Sequence, residues 1–522
     1  MSSNTSSSTS ATNAVVLSTA AAFCTGVLSG AALYAAYERK QRRAALASTH
    51  PLNAQDPREI THPAAGLTEL IVKYHENLKR QDATRGQAGS FSYPIRATSK
   101  PGTVKNALPA HCPEDPESYA AIFKDCEDII FPALTHWASP DFYAYFKVCG
   151  SDPSVLADYL CSSLNVVGFS WVAAPAATEL EQVMCDWLAK LLNLPDCFMT
   201  TSVGGGVIQG SASESALCAM IAARHAALGD LEGEAREHRA SKLCVYVSDQ
   251  THAIAEKGCM VLDIPHLRVI PTKRGVADVD NFGLAPEDVA AAMKKDIADG
   301  LVPFFLVPTV GTTSTTAIDP IRALTQVAKA QPYPIWSYFD GAEECDSICV
   351  NAHKWLLVSF DCSLLWNDFM SQINYKDWQV PLGRRFRSLK LWFTLRRFGA
   401  AGLRAHIRRS ISLAKQAEAL LLADGRFKIF VPVRMSLVCF YVGFGGRELN
   451  EHLLRRVNES GKAFLVHSVV DGVHILRMAV GGLEVNDANV ENFIHLVKTQ
   501  LNELVANNPK WQQQALEYQQ AK

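Results

Sequence analysis

The spacing of apolar positions changes character along this chain, and each change marks a different kind of element. Ala14 to Tyr37 carries no charge and is long enough to cross a bilayer as a helix. Ala44 to Ala65 turns polar and proline-bearing, as linkers do. Leu67 to Lys79 has the period of a short amphipathic helix, a second Gly/Ser/Pro stretch runs to Gly102, and Pro113 to Trp137 resumes a helical apolar pattern. From about Phe142 to Phe398, helical patterns alternate with short apolar runs such as Leu243-Cys244-Val245-Tyr246-Val247 and Phe304-Phe305-Leu306-Val307. That alternation predicts an α/β fold: a mostly parallel sheet with helices on both faces. Beyond about Gly399, two amphipathic helices surround strands such as Leu437-Val438-Cys439-Phe440-Tyr441, which predicts a small α+β C-terminal domain. The resulting partition is 1–45, 46–100, 101–145, 146–398, 399–508 and a tail of 509–522.

Composition narrows the class. The chain has 522 residues, 48% of them hydrophobic, enough for one large core and smaller ones. Its 50 basic and 52 acidic residues leave no basic footprint, so no nucleic-acid partner is expected. The 14 cysteines are scattered singly, and the near pair Cys345 and Cys349 lacks zinc or redox spacing. They read as buried thiols of a reducing compartment. The basic cluster Glu38-Arg39-Lys40-Gln41-Arg42-Arg43 follows the apolar N-terminal stretch, where a secretory signal would carry its charge in front. Residues 1–45 are therefore expected to form a transmembrane signal anchor that leaves the bulk of the chain facing the cytosol. An organelle-targeting segment is the competing reading, since the stretch is rich in Ser and Ala.

The candidate chemistry centres on Asn351-Ala352-His353-Lys354-Trp355, which follows the strand-like Ser347-Ile348-Cys349-Val350. A lysine at a strand end inside a domain loses its proton readily and becomes a nucleophile toward an aldehyde; a snorkelling surface lysine is the commoner alternative. Gly204-Gly205-Gly206-Val207-Ile208-Gln209-Gly210-Ser211-Ala212-Ser213-Glu214-Ser215 then supplies a glycine turn and small hydroxyl residues opening a helix, a setting suited to a phosphate monoester. It is neither a Walker A loop nor a dinucleotide fingerprint.

These two segments resemble those of the group II amino-acid decarboxylases, the aromatic-L-amino-acid decarboxylase and tyrosine decarboxylase family, and the resemblance extends from about Pro101 to about Leu504. It implies a fold-type-I transferase fold, pyridoxal 5'-phosphate as cofactor, a homodimer wrapped by its N-terminal segments, and decarboxylation of aromatic L-amino acids to arylalkylamines. It implies Ala212 and Ser213 as phosphate contacts, with Asn351 joining them. His252, in Ser248-Asp249-Gln250-Thr251-His252, matches the imidazole that stacks on the pyridine ring; Thr313, in Gly311-Thr312-Thr313, matches a cofactor-side threonine; His353 matches a substrate-facing imidazole. Trp137 to Phe146 resembles the aromatic strip of the substrate pocket, with Trp137 in the strip and Tyr145 and Phe146 inward; Phe169 resembles the residue contributed across the dimer, and Gly383 leaves room for a catechol or indole. No metal ligand is implied.

The chain departs from the family in three places. Lys147-Val148 stands where Pro-Thr is common, at the polar end of the pocket. Asp340, in Trp336-Ser337-Tyr338-Phe339-Asp340, can be aligned with the aspartate that pairs with the pyridine nitrogen, but it lies only fourteen residues before Lys354. It aligns equally with a later acidic position, and two parallel strands need a crossover of about a dozen residues or more, so one strand here is expected to be lost or reshaped. After Trp366 the chain passes almost directly to Tyr375-Lys376-Asp377-Trp378, leaving out the segment that carries the family's loop tyrosine. Tyr375 matches a different family position. The sequence therefore predicts either a poor decarboxylase, an aldehyde-forming variant, or a cofactor-binding partner of a complete paralogue.

Overall fold

A computed structural model describes Tyr37 and residues 57–79, 93–276, 281–333, 335–339, 345–367 and 374–521. The chain divides into two compact units, residues 1–77 with 97–134, and residues 78–96 with 135–522.

In the first unit the helix that begins at Thr61 presents Gly66 to Phe123, where a Cβ would come within 3.3 Å of the ring. Lys73 and Glu127 pair on its polar side. The facing helix, Tyr119–Asp125, is capped by Ser118, whose hydroxyl accepts the Ala121 amide at 3.2 Å.

The second unit contains a seven-stranded sheet made of β1 (Gly205–Gln209), β2 (Leu243–Ser248), β3 (His266–Ile270), β4 (Val302–Val307), β5 (Trp336–Phe339), β6 (Ser347–Val350) and β7 (Ser363–Asn367), in the order β1-β7-β6-β5-β4-β2-β3. β7 runs antiparallel to both its neighbours, while the pairings of β2 with β3 and β4, β4 with β5, and β5 with β6 are parallel. β2 and β4 are buried along their whole length, which is why they read as continuous apolar runs. Strand alternation splits their side chains between two cores. Val245, Val247 and Phe305 pack with Ala219, Met220 and Cys259 from helices Ala212–Leu228 and Ile254–Leu262. Cys244, Tyr246 and Leu306 pack with Val289, Met293 and Leu324 from helices Pro286–Ala298 and Ile321–Lys329. Helices thus cover both faces, as predicted.

Of the two outcomes expected before Lys354, a strand lost or a strand reshaped, the first does not occur. β5 and β6 both form, four residues each, and pair in parallel across a seven-residue connection. The stagger explains how: Tyr338 lies opposite Ser347 and Phe339 opposite Ile348, so β6 starts level with the end of β5. An ordinary crossover must travel back along a whole strand, whereas here the end of β5 and the start of β6 are level. Asp346 clamps the step, its Oδ2 accepting the Ser337 amide at 2.6 Å while its own amide donates to the Ser337 carbonyl at 3.2 Å.

The helix Ser388–Asp424 is broken at Gly399, whose φ of 64° and ψ of 169° suit only glycine. Beyond it, β8 (Phe427–Ile429), β9 (Leu437–Val442), β10 (Val466–Val470) and β11 (Val473–Ala479) form an antiparallel sheet ordered β10-β11-β9-β8. One face, with Val438, Phe440, Leu476 and Met478, packs on the helices Gly446–Glu459 and Asp487–Ala506. The other, with Cys439, Ile475 and Ala479, packs with Phe282, Phe430 and Phe146. Among the described residues no helix is long and apolar enough to cross a membrane, and the predicted span lies outside them but for Tyr37.

Candidate active site

Parallel strands deliver their following residues to one edge of the sheet, the usual location of ligand sites in open α/β folds. The segments after β1, β2, β4 and β6 carry Ala212 and Ser213, His252, Thr313 and Lys354 respectively.

β1 runs into Gly210 and Ser211, and Ser211 caps the helix Ala212–Leu228 by accepting the Glu214 amide at 3.3 Å. Glu214 returns the favour to the turn, its Oε2 accepting the Gly210 amide at 2.7 Å. With the third amide capped, those of Ala212 and Ser213 have no acceptor within the helix and form the positive end of its dipole. A Cβ at position 210 would lie 2.7 Å from the Glu214 carboxylate and 3.1 Å from that of Asp361, so a larger residue here displaces Glu214 from the turn. Burial opposes the charge on Asp361, but its hydrogen bond from Arg387 at 2.9 Å and the charge of Lys390 keep its carboxyl below the usual range.

Lys354 lies on the single turn Ala352–Trp355 after β6, half-buried, with Nζ 5.9 Å from the centroid of the Phe146 ring. Its charge reaches both predicted imidazoles. His252 is exposed, and burial of part of its ring, then the charges of Lys354 and Lys257, lower its pKa. His353 is buried; desolvation first and Lys354 second push it down to about 4. Its Nδ1 accepts the Cys362 amide at 3.1 Å and its ring meets Phe360 edge-on at 5.1 Å. Both imidazoles are accordingly neutral at pH 7, and the His353 proton is on Nε2.

The two threonines of the Gly311 turn divide the work. Thr312 is buried and its hydroxyl accepts the Ala317 amide at 2.9 Å, holding the turn, while Thr313 beside it is half-buried. Asp319 closes the same turn by accepting the Leu284 and Thr309 amides, each at 2.8 Å. Asn351 has a buried side-chain oxygen with no partner among the described residues, and half a turn of its amide offers an equally unpaired NH2. Asp340 lies outside the described residues.

The pocket residues separate into groups. Phe146 reaches Lys354, but Tyr145, expected to point inward as well, stacks on Trp137 at 5.3 Å with both rings partly exposed. Phe169 and Gly383 lie on two loops joined by the Gly168 amide donating to the Arg384 carbonyl at 3.1 Å, and Gly383 faces open space. Lys147 is buried with Nζ donating to the Ser139 carbonyl at 2.6 Å, which ties its charge to the backbone of the aromatic strip. Tyr375 is buried, its hydroxyl donating to the Gly206 carbonyl at 3.3 Å and its ring under Arg384. It braces β1 and has no proton to offer a ligand. Arg477 of β11, which stands 5.7 Å from the Phe146 centroid, was missed; a lone charge inside the apolar run Ile475-Leu476-Arg477-Met478-Ala479 was the available signal.

An amine nucleophile, a helix N-terminus with free amides and hydroxyls, and an unpaired buried amide together fit a phosphate ester that carries an aldehyde. Comparison with known proteins agrees. The family signature described as pyridoxal-dependent decarboxylase conserved domain matches residues 101–443. The chain is 39% identical to tryptophan decarboxylase 2 of Oryza sativa, over 84% of this chain and 93% of that protein, and 38% identical to a phenylacetaldehyde synthase of Arabidopsis thaliana, over 87% and 98%. The crystal structure of Catharanthus roseus tryptophan decarboxylase with L-tryptophan superposes with a TM-score of 0.80 at 35% identity, covering 87% of this chain and 100% of that one. The rice alignment takes 490 positions yet only 84% of a 522-residue chain, so the relative contains stretches this chain lacks.

Proposed function

The chain belongs to the pyridoxal-dependent decarboxylase family, and from that premise we propose that it acts on aromatic L-amino acids, releasing carbon dioxide to form arylalkylamines. The observation that carries this is the convergence, at one sheet edge, of Lys354, the capped N-terminus of the helix Ala212–Leu228 and the Phe146 ring. Pyridoxal phosphate, when bound, supplies an aldehyde for the lysine and a ring that accepts electrons from the substrate's α-carbon. The amides of Ala212 and Ser213, the Ser213 hydroxyl and the Asn351 amide hold its phosphate. His252, neutral at pH 7, would face the ring without adding charge, and Thr313 would bound it on the side of β4. Lys354 would carry the cofactor through its amine and, once free, would hold a proton for the substrate's α-carbon. Neutral His353 shapes the pocket from beneath and donates through Nε2.

A second reading follows from Tyr375. Its hydroxyl is committed to the Gly206 carbonyl, and only seven residues join β7 to it. The chain therefore has a short route where a lid and its acid would stand, and a site open to oxygen and water favours release of aldehyde, ammonia and peroxide over amine. Phenylacetaldehyde synthases among the relatives are consistent with this outcome. The test is to load the protein with cofactor, supply L-tryptophan, L-tyrosine and L-phenylalanine, and measure carbon dioxide, amine, aldehyde and ammonia. Carbon dioxide with amine supports the first reading; carbon dioxide with equimolar ammonia and aldehyde supports the second; no carbon dioxide from any of the three overturns both.

A homodimer is part of the proposal. Leu156 and Val172, on and just after the helix Asp152–Leu164, are 59% and 84% exposed, with Tyr159, Leu164 and Trp171 beside them in sequence. Apolar side chains so concentrated mark a protein contact. Residues Ala14 to Tyr37 are proposed as the membrane anchor with the catalytic body cytosolic; the full chain then resists carbonate extraction, a chain starting near residue 45 does not, and protection of the body from protease in sealed vesicles counts against it.

A further inference from the structure

Ser363 opens β7, the strand that lies between β1 and β6 and runs antiparallel to both. Its register partner on β1 is Gln209, which precedes Gly210 and the phosphate cradle. The next residue, Leu364, pairs with Val350 of β6, which leads into Asn351 and Lys354. Alternation puts Ser363 on the face of Leu365, against the helix Ala212–Leu228, where Cys349, Ala216 and Ala219 make an apolar core. A hydroxyl in such a place is costly unless bonded, and this one has two partners: Ser363 Oγ stands 3.2 Å from Ser215 Oγ and 3.4 Å from Cys349 Sγ. Both serines are fully buried, and Ser215 also reaches the Ser211 carbonyl at 3.3 Å. A carbonyl only accepts, so the single Ser215 proton goes to Ser211; Ser363 then donates to Ser215, and Cys349 to Ser363. The chain therefore has one direction. It begins on the lysine strand and ends on the residue that caps the cradle helix.

The cofactor is gripped at two ends, its aldehyde by Lys354 beyond β6 and its phosphate by the Ala212 and Ser213 amides beyond β1. Strand pairing through β7 keeps β1 and β6 about 10 Å apart, but it does not fix where the first turn of the covering helix stands. Apolar contacts between helix and sheet are non-directional and tolerate a shift, whereas a hydrogen-bonded chain does not. We propose that Ser363 is a positioning residue for the cofactor: by joining Ser215 to Cys349 it sets the separation of the phosphate cradle from Lys354, so that one molecule carrying both aldehyde and phosphate spans the two. Linking two grips adds affinity only when their spacing matches the ligand. This rests on the pyridoxal phosphate site described above.

The test is equilibrium titration of the full-length chain, freed of cofactor, with pyridoxal 5'-phosphate, with pyridoxal, which has the aldehyde alone, and with inorganic phosphate. Ser363→Ala raises the Kd of pyridoxal 5'-phosphate about fivefold to tenfold, the worth of one buried hydrogen bond or slightly more. Pyridoxal and phosphate each stay within about twofold, since either one meets its own half of the site intact. Ser215→Ala, on a helix where alanine is favoured, gives the same loss from the other side of the bond, and decides alone should the Ser363 variant not fold. The two substitutions together lose no more than one, because they cut a single link. If pyridoxal or phosphate weakens as much as pyridoxal 5'-phosphate, the defect is general and the inference is overturned, as it is by unchanged pyridoxal 5'-phosphate affinity in the variants. A wild-type chain that binds none of the three probes removes the cofactor site itself, and the inference falls with it.

Discussion

Lys354 and two buried histidines illustrate how single residues set measurable behaviour. Treating the cofactor-loaded protein with borohydride leaves a covalent adduct on Lys354, detectable as a mass increase on its peptide, and Lys354→Ala abolishes it; an adduct on another lysine would falsify the assignment. His353 and His406 both have folded-state values of about 4 against an ordinary 6.5, chiefly through burial. A value lowered by folding means that the unfolded chain takes up the proton first as pH falls. Their contribution is complete above 6.5 and lost as pH falls from 6.5 toward 4. Asp319 acts in reverse: burial raises it from 3.8 to about 6, so its cost at neutral pH is relieved through the same window. Each separation corresponds to roughly 3 kcal/mol, which leaves a net loss of about one histidine's worth on acidification. Urea midpoints measured from pH 7 to pH 4.5 are expected to fall, and His406→Leu, which also removes a buried unpaired Nε2, flattens the decline. An unchanged slope in that variant would remove His406 from the account.

At the scale of elements, the site depends on pieces far apart in sequence being tied together. Arg384 is buried against Glu181, and the pair also holds backbone: Glu181 accepts the Ile208 amide of β1 at 2.7 Å, and Arg384 donates to the Ile208 carbonyl at 3.1 Å. One ion pair thereby fixes the helix Pro175–Leu191, strand β1 and the loop of Gly383 with respect to one another. Arg384→Met strands the Glu181 charge and is expected to cost about 3–5 kcal/mol, whereas Arg384→Met with Glu181→Leu recovers much of it because both charges are gone. Denaturant titration of the single and double variants decides; a single variant as stable as wild type would show the pair to be idle. The Ser211 cap works likewise but locally, since Ser211→Ala removes one amide partner and costs about 1 kcal/mol.

For the whole molecule, the exposed apolar face around the helix Asp152–Leu164 predicts association. Sedimentation should show a dimer, and Leu156→Asp combined with Val172→Asp should shift it to monomer, because two charges in an apolar interface lack partners. A monomeric wild-type protein, or a double variant that remains dimeric, would place the contact elsewhere.

What the sequence determined by itself is what depends on local pattern. Periodicity alone separates the buried runs of β2 and β4 from the amphipathic helices on either side, and the glycine turn with its serine cap at 210–211 is legible because a cap is a matter of neighbouring residues. The resemblance also named Lys354, which the structure then brings beside Phe146. Only the tertiary structure decided the rest. Two strands coexist across seven residues because their register is staggered, and register is invisible in one strand's sequence. Tyr375 is a brace because its hydroxyl reaches Gly206, 169 residues away. Arg477 comes to Phe146 and the Thr313 carbonyl because one face of a second sheet packs there. Each of these rests on contacts between distant segments, whose energies are set by packing, and packing has no period for a sequence to display.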